Sequence, residues 1–475
     1  MDKSPAPQNL TVPAALALGR QHEGAGRTQE AGRIYRLVLD AEPDNADALH
    51  LLGLLYYRRG DIVATVPLIR RAVASRPSWA EAHNNLGAAL EGLGQLKEAI
   101  ACYEQAATIR PDFSAALNNL GRTLHDERNF SRAESCYRGA LRLEPDNPEV
   151  HANLSMLLLL NGRFEEGWAE FEWRKRVKAW KNRPHNFRQP LWNGEALAGR
   201  TLLVSVEFGF GDTIQFCRYV SLLARSARII LEVQRPLQRL LSRIEGVAQV
   251  IAYGDPLPAF DLYCPLLSLP HRLGTTLATI PGETPYLAVD PPKAEQWHSR
   301  LKHLNGLRVG LAWAGNPDLV RDRQRSIDQV RLDVLASVPG VEFVSLQKDG
   351  APREPGANSP GMVIHDWTQE IADFDDTAAV IESLDLVIAV DTSVVHLAGA
   401  LGKPVWLLNR FDTCWRWLLD RDDSPWYPTL RQFRQTQRDD WATVLESVRK
   451  ALALAAQLKH REPIPPEKLD GLRAL

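Results

Sequence analysis

A period of 34 residues governs the first third of this chain. Gly19, Gly53, Gly87 and Gly121 are equally spaced, and so are Pro43, Pro77, Pro111 and Pro145. Ala31, Thr65, Ala99 and Ala133 keep the same interval, as do Tyr35, Ile69, Tyr103 and Tyr137. A unit this short cannot bury its own apolar face, so it must stack on the next copy. The spacing predicts two antiparallel helices per unit, with small residues where they cross and a proline after the second. A fifth unit begins near Pro148 and departs at its end: Gly167 and Phe171 take the alanine and tyrosine positions, and no proline follows Arg174. Trp168, Phe171 and Trp173 are expected to form the seam joining this array to the remainder of the chain.

These units resemble the tetratricopeptide (TPR) repeat, which implies an all-α solenoid over residues 12–175. Cys102 and Cys136 are one period apart, and His83 and His151 two, so they read as equivalent repeat positions, not as reactive pairs. Asn85, Asn119 and Asn153 form another such set on the first helix of their units, which lines the concave face in this fold. A ladder of side-chain amides can hydrogen-bond an extended peptide without reading its side chains. The set resembles the asparagine ladder of the O-linked N-acetylglucosamine transferases and implies a protein or peptide acceptor. The competing reading is that these asparagines cap or solvate that face.

Charge and cysteine content narrow the partners. The 56 basic and 58 acidic side chains leave a net charge of −2, with no basic excess to neutralise a nucleic acid. The five cysteines contain no CxxC pair, which fits a reducing compartment and neither a zinc site nor a disulfide framework. The start has no apolar core of signal-peptide length, and no apolar run reaches the roughly 18 residues of a membrane span. A soluble cytoplasmic protein is expected.

Residues 176–199, basic and aromatic with Trp180, Phe187, Pro184 and Pro190, read as an ordered connector. Beyond them strands and helices alternate twice. Thr201 to Val206 reads as a strand, followed by Gly209-Phe210-Gly211-Asp212 and a helix from Thr213 to Ala224; further strands are expected at Arg228 to Val233, near Val250 and at Phe260 to Cys264. The second run has strands at Leu307 to Trp313 and Val341 to Leu346, a helix around Leu332 to Ser337, a loose stretch from Asp349 to Pro360 and a helix from Asp376 to Leu384. It ends in a corner: strand Leu384 to Ala389, then Asp391-Thr392-Ser393, a helix Ser393 to Leu401 closed by Gly402, and strand Val405 to Leu408. Such a strand-to-helix corner offers free backbone N–H groups to a phosphate. The alternation predicts two doubly wound, Rossmann-like domains, 200–290 and 300–455, facing across a cleft.

The Gly209–Asp212 loop, the loop from Trp313 to Arg325, and Asp391-Thr392-Ser393-x-x-His396-Leu397-Ala398-x-Ala400-Leu401-Gly402-Lys403-Pro404 together resemble glycosyltransferase family nine, the heptosyltransferases. The whole chain looks like the TPR-fused bacterial glycosyltransferases, some linked to flagellin modification. The resemblance implies a GT-B fold, a nucleotide-sugar donor used as substrate and not as cofactor, inverting transfer and no essential metal. Two features depart from it: the 200–290 domain is short, and Trp415-Arg416-Trp417 with Ser424-Pro425-Trp426-Tyr427-Pro428 is not the heptosyltransferase pattern.

Inverting transfer needs a base beside the acceptor hydroxyl and positive charge or N–H donors on the leaving diphosphate. Asp212 matches the family's aspartate and is the candidate base; a helix cap is its competing role. Arg325, with Arg323 as a neighbour, is the candidate cation. Asn316, Thr392, Ser393 and His396 are candidate phosphate contacts, Asp391 orders the turn, and Gln347 is a candidate ribose or base contact. His396 also reads as a packed core residue. Asp373-Phe374-Asp375 contains a DxD, but it precedes a helix, so capping is expected there and no metal. Two rival functions stand beside transfer: a catalytically inactive TPR adaptor, and a sugar-nucleotide epimerase-type GT-B enzyme.

Overall fold

The periodic glycines and the large side chains of the same period meet each other. A Cβ built on Gly19, Gly53, Gly87 or Gly121 would come within 2.3, 2.6, 2.7 and 2.7 Å of Tyr35, Ile69, Tyr103 and Tyr137 respectively. The absence of a side chain at one helix crossing is therefore what admits the large one. The structure, a computed structural model, describes residues 10–178, 187–318, 322–348 and 362–459. Trp180 and Pro184 of the connector and the stretch expected from Asp349 to Pro360 lie outside these residues.

The chain divides into two compact units, Met1–Leu157 and Leu158–Leu475. The first holds the helix pairs of the TPR array, Val12–Gly24 with Thr28–Ala41, Ala46–Arg58 with Ile62–Ser75, Ala80–Gly92 with Leu96–Ile109, and Ser114–Asp126 with Phe130–Leu143. Asn45 and Asp61 cap two of these helices by accepting from the N–H groups of Ala48 and Ala64 at 3.0 and 3.1 Å, which satisfies donors the helix leaves open. The turn inside each unit takes a left-handed residue, filled by Gly26, Gly60, Gly94 and Gly162, and by Arg128 in the fourth unit at φ 59°.

The second unit contains two parallel sheets. The first has β1 (Thr201–Ser205), β2 (Arg228–Val233), β3 (Val247–Ala252) and β4 (Leu262–Pro265) in the order β3-β2-β1-β4. The second has β5 (Leu307–Ala312), β6 (Val341–Ser345), β7 (Ile364–His365), β8 (Leu386–Val390), β9 (Val405–Asn409) and β10 (Leu430–Arg434) in the order β10-β9-β8-β5-β6-β7. That is the doubly wound order, with its reversal between β5 and β8. The inner strands β8 and β9 are buried throughout, as in a parallel sheet covered on both faces. On the second sheet the cover includes the helix Trp441–Lys459, whose Val444, Leu445, Val448 and Leu452 are buried against Val309, Leu311 and Trp406.

Several local expectations shift. The helix expected from Thr213 to Ala224 is two helices, Phe210–Phe216 and Arg218–Ala224, joined at Cys217. The helix expected around Leu332 is a 3₁₀ run, Gln329–Ser337, and the helix after the DxD starts earlier, at Phe374. There Asp373 accepts from the N–H groups of Asp375 and Asp376 at 2.9 and 3.2 Å. The end of the connector is ordered: Phe187 meets the rings of Phe260 and Tyr263, and Leu191 forms a parallel bridge to Tyr263. Trp168, on the helix Phe164–Phe171, lies edge-on to Phe216 and Trp415 at 6.1 and 5.3 Å. Of the expected seam residues, Trp168 thus packs on side chains of the sheet domains within the second unit, and Phe171 packs on Trp168.

Candidate functional site

In a doubly wound sheet, the crevice at the strand-order reversal is where ligands bind. The first sheet reverses between β1 and β4, and there the position is filled. Arg174, fully buried, donates to both oxygens of Glu207 at 3.2 and 2.7 Å and to the Ser268 hydroxyl at 2.8 Å. Glu207 also accepts the N–H of Leu267. Arg174 bonds Glu172 at 2.8 Å, and Glu172 pairs in turn with Lys175 and Arg272. Burial acts to raise the Glu172 carboxyl, but the Arg174 and Lys175 cations outweigh it and hold it down to about 2.

The second sheet reverses between β5 and β8, and its loops bring predicted residues together. After β8, Thr392 adopts an extended backbone as the cap of the helix Ser393–Ala400. From the β5 side, Arg325 donates to the carbonyl of Asp391 at 2.7 Å and to Asp322 at 2.9 Å. Asp322 accepts the Ser326 hydroxyl, which accepts the N–H of Gly315. Arg325 is therefore fixed beside the corner, with its side chain one-fifth exposed. Asn316 accepts the N–H of Asp318 and orders its own turn. The Gln347 carbonyl oxygen is taken by the N–H groups of Trp313 and Ala314 at 3.0 and 2.8 Å, so it ties the end of β6 to the end of β5.

The glycine loop of the first sheet faces this corner. A Cβ on Gly211 would lie 2.8 Å from the His396 ring and 3.6 Å from the Ser393 Cα. The starts of the helices Phe210–Phe216 and Ser393–Ala400 therefore abut. Asp212 accepts the N–H of Gly209 on Oδ2 at 3.0 Å, the cap geometry, and its Oδ1 pairs with Arg416. The Asp212 side chain is about one-fifth exposed. His396 is buried, stacked on Trp417 at 5.3 Å and bonded through Nδ1 to the Tyr427 hydroxyl at 2.9 Å. Burial drives its pKa down to about 3, against the smaller pull of Asp391, so the ring is neutral. Asp391 Oδ1 lies 4.0 Å from its Nε2.

Arg416 escaped the reading of the sequence. Its Nε donates to Gln215 at 2.6 Å, one terminal nitrogen pairs with Asp212 and the other approaches the Cys414 sulfur at 3.2 Å. Burial acts to lower its pKa, but Asp212 and neighbouring groups hold it above the ordinary value. The only sequence signal was two tryptophans bracketing an arginine. Buried polar atoms in this neighbourhood without a partner among the described residues include Thr392 Oγ1, Gln215 Nε2 and Trp417 Nε1.

Each predicted asparagine of the array bonds a side chain of the preceding unit. Asn119 donates to Asn84 at 3.0 Å and Asn153 to Asn118 at 2.9 Å, each across to the preceding unit, while Asn85 bonds His50 Nε2 at 2.9 Å. Three separate pairs of partly exposed amides result, the one at Asn85 closed by His50.

Comparison with known proteins agrees with the array. Tetratricopeptide repeat models match residues 80–113, and 16–64 with 118–172. Protein FlbA of Caulobacter vibrioides is 29% identical over 323 residues, covering 62% of this chain and 53% of its own length. The chain thus spans about half the length of the curated relative it matches. Among solved structures, MamA (22% identical, TM-score 0.32, 33% of this chain and 91% of that one) and Pseudomonas aeruginosa PilF (24%, 0.32, 34% and 75%) are similar over a third of the chain. YrrB, described as a TPR protein with an unusual peptide-binding site, is 15% identical, with a TM-score of 0.32 over 36% of this chain and 87% of its own. The chain carries tetratricopeptide repeats followed by two parallel sheets with helices, and no described helix is long and apolar enough to cross a membrane.

Proposed function

We propose that this protein is an inverting glycosyltransferase, moving a sugar from a nucleotide-sugar donor to a protein held by the TPR array. The supporting observation is the contrast between the two reversal points. One is filled by Arg174 and Glu207; the other carries a helix start with Arg325 fixed beside it and Gly211, the neighbour of Asp212, packed against it. In this reading the donor diphosphate lies at Thr392 and Ser393, with Arg325 and Asn316 at its flank. Asp391 and Gln347 shape the corner, and His396 supports it from beneath. Asp212 takes the acceptor proton, and Asn85, Asn119 and Asn153 hold acceptor backbone.

Those positions set the chemistry. The acceptor oxygen forms a bond to the anomeric carbon as the bond to the diphosphate oxygen breaks. The leaving electron pair is stabilised by cation and N–H groups, and the hydroxyl proton passes to a carboxylate. The test is incubation of the purified chain with ADP-, GDP-, UDP- and CMP-sugars and cell proteins, reading mass increments on protein. Asp212→Asn preserves an acceptor for the Gly209 N–H but cannot take a proton. It is expected to lower transfer by about 100-fold or more with the donor still bound. Full activity in that variant removes Asp212 from the reaction, and no transfer from any donor removes the reading.

A further inference from the structure

Arg416 lies in the 3₁₀ turn Trp415–Trp417 beyond the second sheet, yet its guanidinium reaches two residues on the first helix after β1, Asp212 and Gln215. All three of its nitrogens are engaged, and the Asp391 carboxylate adds to the field upon it. Gln215 is fully buried, and among the described residues neither its Nε2 nor Trp417 Nε1 has a partner. Such atoms are rare in a packed interior and call for an explanation. The arrangement also poses a chemical conflict. The oxygen of Asp212 that would meet an acceptor hydroxyl is taken by Arg416, and its other oxygen by the Gly209 N–H.

We infer that Arg416 is a shared cation, bound to Asp212 in the protein without donor and passed to the donor's diphosphate when that arrives. The inference rests on the nucleotide-sugar reading of the same site. A diphosphate carries more charge than one carboxylate and offers several acceptor oxygens to a guanidinium fork. When Arg416 turns to it, Asp212 keeps the Gly209 N–H that fixes its position and recovers a free oxygen. That oxygen takes the acceptor proton as the new glycosidic bond forms and the diphosphate leaves with its electron pair. Arg416 then neutralises the leaving group, and the base is unmasked only when donor is present.

The test is a double-mutant cycle read by calorimetry, with ADP, GDP and UDP as probes on the full chain, its Asp212→Asn and Arg416→Gln variants, and the double variant. For a nucleotide that the natural protein binds, Asp212→Asn is expected to tighten binding about fivefold or more, and Arg416→Gln to weaken it about tenfold. The gain from Asp212→Asn disappears once Arg416 is gone, because that gain is the release of the guanidinium. If Arg416→Gln fails to fold, Arg416→Met, which keeps the apolar stem without the charge, replaces it in the cycle. Unchanged or weaker binding by Asp212→Asn overturns the inference. So does tightening that persists without Arg416, since it reports only the removal of a like charge. Those outcomes leave the nucleotide-sugar reading standing. Binding of none of the three probes by the natural protein overturns the diphosphate donor and the inference together.

Discussion

Gly211 leaves room for a ring that has nowhere else to go. His396 fills the space above it, is closed off by Trp417, and bonds Tyr427. A buried neutral imidazole has a consequence for pH. Its pKa of about 3 in the fold lies below the roughly 6.5 of an unfolded chain. Between these values the unfolded state binds the extra proton, so stability falls as pH drops below about 6.5 and goes on falling toward 3. His50, brought to about 4 chiefly by burial, contributes in the same direction over a narrower window. The natural protein should lose about 1.4 kcal/mol per pH unit to His396 within its window. His396→Gln should flatten the slope of urea-unfolding free energy between pH 6 and 4, whatever its effect on absolute stability. An unaltered slope would mean that the ring is not held neutral.

Helix ends and buried ion pairs decide the behaviour of the elements. Arg128 adopts the left-handed conformation that glycine supplies in the other units. A residue with a Cβ is strained there by about 1–2 kcal/mol. Arg128→Gly should therefore raise the melting temperature by a few degrees, and a fall would show that the arginine side chain contributes more than its backbone costs. The network around Arg174 behaves oppositely. Arg174→Met leaves Glu207 buried without its cation and is expected to cost about 3–5 kcal/mol. Adding Glu207→Leu should restore much of that loss, because an apolar pair needs no charge balance. Equal destabilisation in the single and double variants, measured by denaturant titration, would refute a loss caused by the stranded carboxylate.

Across the second unit, charge pairs connect the two sheets. Arg239 and Arg243, beside β2 and β3, both reach Asp375 on the helix Phe374–Glu382, and Lys293 pairs with Asp376. Asp375 is almost fully buried while Arg239 is about half exposed, so solvent screens part of the interaction. Asp375→Ala should cost about 1–3 kcal/mol. Over this many residues that is several degrees in melting temperature. The acids that resemble a metal-binding DxD thus serve as a helix cap and a clasp, and a melting temperature unmoved by Asp375→Ala would disprove the clasp.

What the sequence determined was whatever depends on near neighbours. The 34-residue spacing dictates the array because each glycine must meet the large side chain that lies 16 residues beyond it, as Gly87 meets Tyr103. Apolar runs such as Leu386–Val390 and the turn at Asp391–Ser393 dictate the corner, since strand, cap and helix are consecutive. Short strands such as Ile364–His365, and Leu430–Arg434 with its alternating polar residues, carry little local signal and were not foreseen. Only the tertiary structure decided which reversal point is filled and what faces Asp212. Arg174 reaches Glu207 across 33 positions and Arg416 reaches Asp212 across 204. A charge pair of that separation leaves no periodicity in the chain, because its geometry exists only once the sheets have brought its ends together.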